Sequence, residues 1–180
     1  MPDNKALQEE LEALQVALKT EEDGFHYYQE AADRSQHPLV KKFFAAVAND
    51  ECAHIFLIKD FYKALKADPK TGEVKLPDAS ADYKQRLKTI FQDARKEIKD
   101  KVTLDTGILD VYRHSMDLET KAANFYKERA GKSPFPQVKK FWDWLFLFES
   151  DHYRMFSETL SYLEKPDLWH IEMERSIFEG

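Results

Sequence analysis

Apolar residues recur along this chain in alternating steps of three and four, the spacing that places side chains on one face of an α-helix. Four long stripes are readable. The first runs Leu7, Leu11, Leu14, Leu18, Glu21, Phe25, Tyr28, Ala32, and the second Val40, Phe44, Val47, Glu51, His54, Ile58, Phe61, Leu65. The third is Leu109, Tyr112, Met116, Glu119, Ala123, Tyr126, Ala130, and the fourth Val138, Trp142, Leu145, Glu149, His152, Phe156, Leu163, passing over Thr159. They predict a first helix over about 4–33 capped by Asp3 or Asn4, and a second over about 37–66. Ser133 and Pro134 open the fourth helix, and Pro166 stops it. Each stripe is interrupted at mid-length by ionisable residues where a core residue is expected.

Short links at 34–37 and 131–134 predict two antiparallel helix hairpins. Between them lies a loop from Ala67 to Ser80, then a weaker amphipathic stretch over about 82–101 with Tyr83, Leu87, Ile90, Phe91, Ala94 and Ile98 on one face. That stretch would span roughly 30 Å as a helix. It suits a crossover joining the second helix to the third along the full length of a bundle. The tail, 166–180, carries Trp169, Ile171, Met173, Ile177 and Phe178, enough apolar surface to dock on the bundle or on a second subunit.

The interruptions repeat. Glu51 and His54, spaced Glu-x-x-His, return 98 residues later as Glu149 and His152, and each pair is preceded 30 residues upstream by Glu21 or Glu119. At the same offset Tyr28 falls on Tyr126, Ser35 on Ser133, Pro38 on Pro136, and the run Val40 to Phe43 on Val138 to Phe141. Twelve of the 34 positions from Glu21 to His54 are identical to their partners, where composition alone would give roughly two. The chain is a duplicated unit, and the duplication keeps the candidate ligands.

Composition narrows the class without changing this picture. A length of 180 residues suits one domain, over about 1–165, better than two unrelated ones. Five glycines and seven prolines are few, which favours an all-α fold. A net charge of -6 gives no reason to expect nucleic acid. No apolar run reaches the roughly 20 residues of a membrane span, and the polar start is not that of a secretory leader, so a cytoplasmic protein is expected. Cys52 is the single cysteine, which rules out an intrachain disulfide and reads as a small packing residue.

Four carboxylates in an apolar interior would suffer desolvation and mutual repulsion unless something neutralised them. Two divalent metals bring about four positive charges, and two neutral imidazoles complete the donor set. Glu and His at i, i+3 share a helix face, and a lone glutamate from each other helix can bridge both ions. The candidate metal ligands are therefore Glu21, Glu51, His54, Glu119, Glu149 and His152, with Tyr28 and Tyr126 two turns along as hydrogen-bonding supports. Carboxylate and imidazole ligands suit iron, manganese or a mixed pair.

With these motifs the chain resembles the ferritin-like di-iron carboxylate proteins, and most closely the rubrerythrin family, over about residues 5–165. The resemblance implies an all-α ferritin-like four-helix bundle with an extra helix in the long crossover. It also implies two iron ions, with Glu51 and His54, and Glu149 and His152, as terminal or bridging ligands and Glu21 and Glu119 as the lone-helix glutamates. The reaction it implies is oxidoreductive: a reduced di-iron centre passing two electrons to hydrogen peroxide or dioxygen. Two departures bear on it. Rubrerythrins usually carry a rubredoxin module with four cysteine ligands, so here electrons are expected from a separate rubredoxin-type donor. They also have an extra glutamate in the third helix about one turn after the first, where this chain has Lys121, Ala122 and Ala123.

Simpler readings stand beside these. A lone Glu-x-x-His is usually a solvated pair; two in register within apolar stripes are not. Glu22 has Thr120 as repeat partner and reads as surface, and His26, His37, His114 and His170 read as surface or satisfied polar groups, with His26 or His114 as a candidate outer neighbour of the site. Trp144, Phe146 and Phe148 do not all share one face with Trp142, which suggests a second buried surface and a homodimer. Two rival functions are a ferritin-type ferroxidase or iron store, and a metal-free helical interaction module.

Overall fold

The computed structural model describes residues 4–70, 72–77, 83–97 and 106–165. Within them the chain forms five helices: α1 (Asn4–Arg34), α2 (Pro38–Ala67), α3 (Tyr83–Arg95), α4 (Thr106–Lys132) and α5 (Pro136–Glu164). No strand occurs among the described residues. α1 pairs with α2, and α4 with α5, as two helix hairpins; α3 lies against α2 and α5. The fold is all-α, as the stripes predict, and is the ferritin-like bundle with an extra crossover helix that the resemblance implies. No described helix is long and apolar enough to cross a membrane.

The two hairpin turns are built alike. His37 and Phe135, the N-caps of α2 and α5, have extended backbones, and a proline follows each at the first helical position. Their N–H groups donate to Ser35 Oγ and Ser133 Oγ at 3.2 and 3.4 Å. This corrects the expected start at Pro134. Proline disfavours helical geometry in the residue before it, so Pro136 holds Phe135 extended and the helix opens two residues later. The crossover helix is shorter than expected in the described residues, ending at Arg95 with a turn to Glu97. The tail with its docking residues, Pro166, His170 and Asp3 lie outside the described residues.

Two hydrophobic clusters fill the bundle, one on each side of its middle. One joins Tyr28, Leu39, Val40, Phe43, Phe44, Tyr112 and Phe156 with Leu87, Phe91 and Ala94 of α3. The other joins Leu11, Leu14, Phe61, Leu65, Tyr126, Phe141, Trp142 and Leu145. Thr159, which the predicted stripe passed over, is fully buried in its register. Trp144 is buried by the chain itself: its indole N–H donates to Pro77 O at 2.9 Å, and Val74 and Leu76 of the same loop pack on the second cluster. Part of the apolar excess of α5 is thereby covered within the chain, while Leu147 and Phe56 stay exposed.

Candidate metal centre

The six predicted residues come from the middles of four helices and meet between the two hydrophobic clusters. Glu21, Glu51, His54, Glu119, Glu149 and His152 are each at most 3% exposed. Their donor atoms form two overlapping groups, Glu21, Glu51, His54 and Glu149, and Glu51, Glu119, Glu149 and His152, with all atoms of a group within 4.8 Å of one another. The shared members are Glu51 and Glu149, two of the residues that the resemblance gave as terminal or bridging ligands. The reason is position: each Glu-x-x-His glutamate reaches both imidazoles, whereas Glu21 and Glu119 each face one. His54 Nδ1 lies 3.0 Å from Glu21, 3.2 Å from Glu51 and 3.5 Å from Glu149. His152 Nδ1 lies 3.3 Å from Glu51, 3.5 Å from Glu119 and 3.6 Å from Glu149.

The tyrosines act across the repeat. Tyr28 on α1 donates to Glu119 on α4, and Tyr126 on α4 donates to Glu21 on α1. Two turns along a helix is too far to reach the glutamate of the same helix, so each phenol spans to the facing one. Burial and the neighbouring carboxylates push both phenols well above their usual range, which keeps them protonated donors.

Metal-free, the cluster is electrostatically divided. Burial raises Glu51 and Glu149, and repulsion from Glu21 raises both further. Burial also raises Glu21, but hydrogen bonds from Glu51, His54 and Tyr126 outweigh it and bring that carboxyl down to about 2. Glu119 is likewise lowered against burial, by the Glu149 carboxyl and the His152 imidazole beside it. Burial lowers both imidazoles, yet the carboxylates around them leave His54 raised and His152 raised well above the usual range.

Even so the protein's own groups do not satisfy one another. Glu149 Oε1, His152 Nδ1 and His54 Nε2 are buried without a hydrogen-bond partner among the described residues. Buried polar atoms are rarely left so. Two of them face other donors, as cations between them would require: Glu149 Oε1 lies 3.5 Å from His54 Nδ1, and His152 Nδ1 3.3 Å from Glu51. The set of carboxylate oxygens and imidazole nitrogens is that of a divalent transition-metal pair. The residues fit the group.

A comparison with family models matches the rubrerythrin model over residues 12–160. The chain belongs to the rubrerythrin family. No curated protein and no solved structure matches it. As a rubrerythrin-family bundle it carries a buried Glu/His cluster able to hold metal, and the motif residues that carried the resemblance are those the fold brings together.

Around the cluster the structure adds residues that the stripes did not mark. Asp50 Oδ2 lies 3.2 Å from His152 Nε2 and pairs with Arg86 of α3. The signal was present in the repeat: Asp50 aligns with Phe148, a polar residue against an apolar one beside otherwise identical ligands. Glu10, 1% exposed, accepts from Trp142 Nε1 at 3.0 Å and pairs with Arg129 at 2.9 Å. His26 and His114 are exposed. His114 packs edge-on to Tyr27, and the outer neighbour of the site is Asp50 instead. Glu22 sits at the surface as expected, paired with Lys59 at 3.0 Å. Cys52 is half-buried and free.

A cavity of about 530 Å³ opens between α1 and α4 onto Glu21, Glu51, Glu119 and Glu149. Its walls include Gly24 and Ala122, which occupy equivalent positions of the repeat, with Tyr27, Leu118 and Phe125. Ala122 and Lys121 line it where the family's extra glutamate is expected.

Proposed function

We propose that this chain is a di-iron oxidoreductase that reduces hydrogen peroxide at the cluster, drawing electrons from a separate rubredoxin-type donor. The observation that carries the reading is the pair of overlapping donor groups sharing Glu51 and Glu149. In this reading Glu21 and His54 would hold one metal, Glu119 and His152 the other, and Glu51 and Glu149 would be available to both. Bound Fe(II) would supply the two electrons that convert peroxide to water. The protein's part is to position and to shield. Tyr28 and Tyr126 hold the two lone glutamates, each from the facing helix. The cavity beside Gly24 and Ala122 gives a small oxidant a path to the four carboxylates. The clusters on either side keep bulk water from the remaining faces.

Dioxygen-driven iron oxidation is the second reading, favoured by Ala122, which removes the third-helix carboxylate associated in the family with the peroxidase ligand shift. Anaerobic loading with Fe(II), followed by mixing with peroxide or with dioxygen, separates the two. Faster oxidation by peroxide supports the first; faster oxidation by dioxygen supports ferroxidation. A dimer elutes near forty kilodaltons, whereas a ferritin-type cage elutes near half a megadalton.

A further inference from the structure

The duplicated halves agree at the six ligands and differ in what stands behind the histidines. His152 Nε2 faces Asp50 Oδ2 at 3.2 Å, and Arg86, reaching in from α3, pairs with the same carboxylate. A hydrogen bond from Nε2–H to Asp50 fixes the tautomer and turns the Nδ1 lone pair toward Glu51, Glu119 and Glu149. His54 has no such support. Its Nε2 is buried without a partner, and its ring is flanked edge-on by Phe148 at 5.2 Å and Trp144 at 5.4 Å. The repeat shows how the difference arose: Phe148 stands where the other half has Asp50, and Trp144 where it has Ala46. Trp144's own N–H is engaged with Pro77 and offers His54 nothing.

We propose that Asp50, anchored by Arg86, is a positioning residue that makes the two metal positions unequal, so that the position of His152 and Glu119 fills first and holds its metal more tightly than that of His54 and Glu21. The inference rests on the two-metal reading of the cluster. Outer partners of a ligating histidine typically change metal affinity by about 10–100-fold. Here one histidine has such a partner and the other has two aromatic rings. The crossover helix thereby acquires a role: it carries the guanidinium that orients Asp50. Arg86 and Asp50 are only about a quarter exposed, 27% and 24%, so the pair is sheltered enough to hold its geometry.

The test is an anaerobic titration of the metal-free full chain with Co(II), followed by visible absorption and calorimetry. Wild type should bind two ions in two steps separated by about tenfold or more. Asp50→Ala should weaken the tighter step by about 10–100-fold and leave the weaker step unmoved, merging the two. Asp50→Asn, which keeps an oxygen facing His152, should restore most of the separation. Arg86→Met removes only the anchor, leaves Asp50 and the ligands in place, and should shift the same step by less. A purely structural role for Asp50 would lower Tm without changing the ratio of the steps. Two equal steps in wild type, or an unchanged ratio in Asp50→Ala and Arg86→Met, overturn the inference while leaving the two-metal reading standing. Failure to bind any cobalt removes both.

Discussion

The wall behind His152 is polar and tied to α3 through Asp50 and Arg86, whereas the wall behind His54 is aromatic, made of Trp144 and Phe148 and backed by the loop at Pro77. The ends of the bundle differ too, in the opposite direction. Glu10 is buried beside the second cluster and held by Trp142 and Arg129, while at the other end Tyr112 has a fully buried hydroxyl with no partner among Phe43, Phe44 and Phe156. The lesson is that duplication preserved the donor set and left its surroundings free to diverge. Ligand positions are fixed by the demands of charge neutralisation. The outer walls need only be packed, and packing has many solutions.

The largest effects should come from the ligands and should not be equal. Glu51 and Glu149 belong to both donor groups, so Glu51→Ala or Glu149→Ala should abolish binding of both metals, whereas Glu21→Ala or Glu119→Ala should lose one. Metal counting on purified variants reads the outcome directly; equal loss from all four would break the overlapping arrangement.

Next in size is the contrast between the ends of the bundle. Glu10→Ala leaves the mostly buried Arg129 without its partner and frees the Trp142 N–H, and should cost about 3 kcal/mol in urea unfolding. Tyr112→Phe removes a hydroxyl that has no partner, and should be neutral or stabilising by about 1 kcal/mol. A large loss from Tyr112→Phe would mean that the aromatic end is not the unsatisfied one.

A pH series sharpens the picture of the metal-free cluster. Glu51 and Glu149 have folded pKa values raised above 4.5, and His54 and His152 above 6.5, so their contributions to metal-free stability are present at low pH. Those contributions are lost as pH rises above the ordinary carboxylate and imidazole values and through the raised folded ones. Glu21 and Glu119 are lowered, so theirs is complete above about 5 and falls only in acid. Loading with metal displaces the retained protons. The Tm gap between loaded and metal-free protein should therefore widen by several degrees from pH 5 to pH 8. A constant gap would contradict protonation of the metal-free site.

The smallest effect concerns the cavity wall. A Cβ at Gly24 would meet Glu51 and Tyr28 at 3.8 Å, ordinary contact, so Gly24→Ala should fold normally and gain about 0.5–1 kcal/mol from helix propensity. It would also match the alanine that its repeat partner, position 122, already carries.

What the sequence made legible was whatever the helical period or the repeat encodes. The four long helices, the buried seams and the six converging side chains all follow from residues spaced three and four apart, and Glu21 or His152 stands out because it occupies a core position in an apolar stripe. Contacts that depend on how helices are rotated against one another were not legible. Spacing alone could not show that Tyr28 reaches Glu119 rather than Glu21, or that Glu51 and Glu149 are the shared glutamates. Asp50 and Arg86 sit on different elements, and Glu10 is buried only because Trp142 and Arg129 come to meet it from α5 and α4.

The most direct test of the account is a count of metal. Loaded anaerobically with Fe(II) and freed of excess, the full chain should retain two irons, and the Glu51→Ala chain none. Substoichiometric iron in the wild type, or two irons retained by the Glu51→Ala chain, would contradict it.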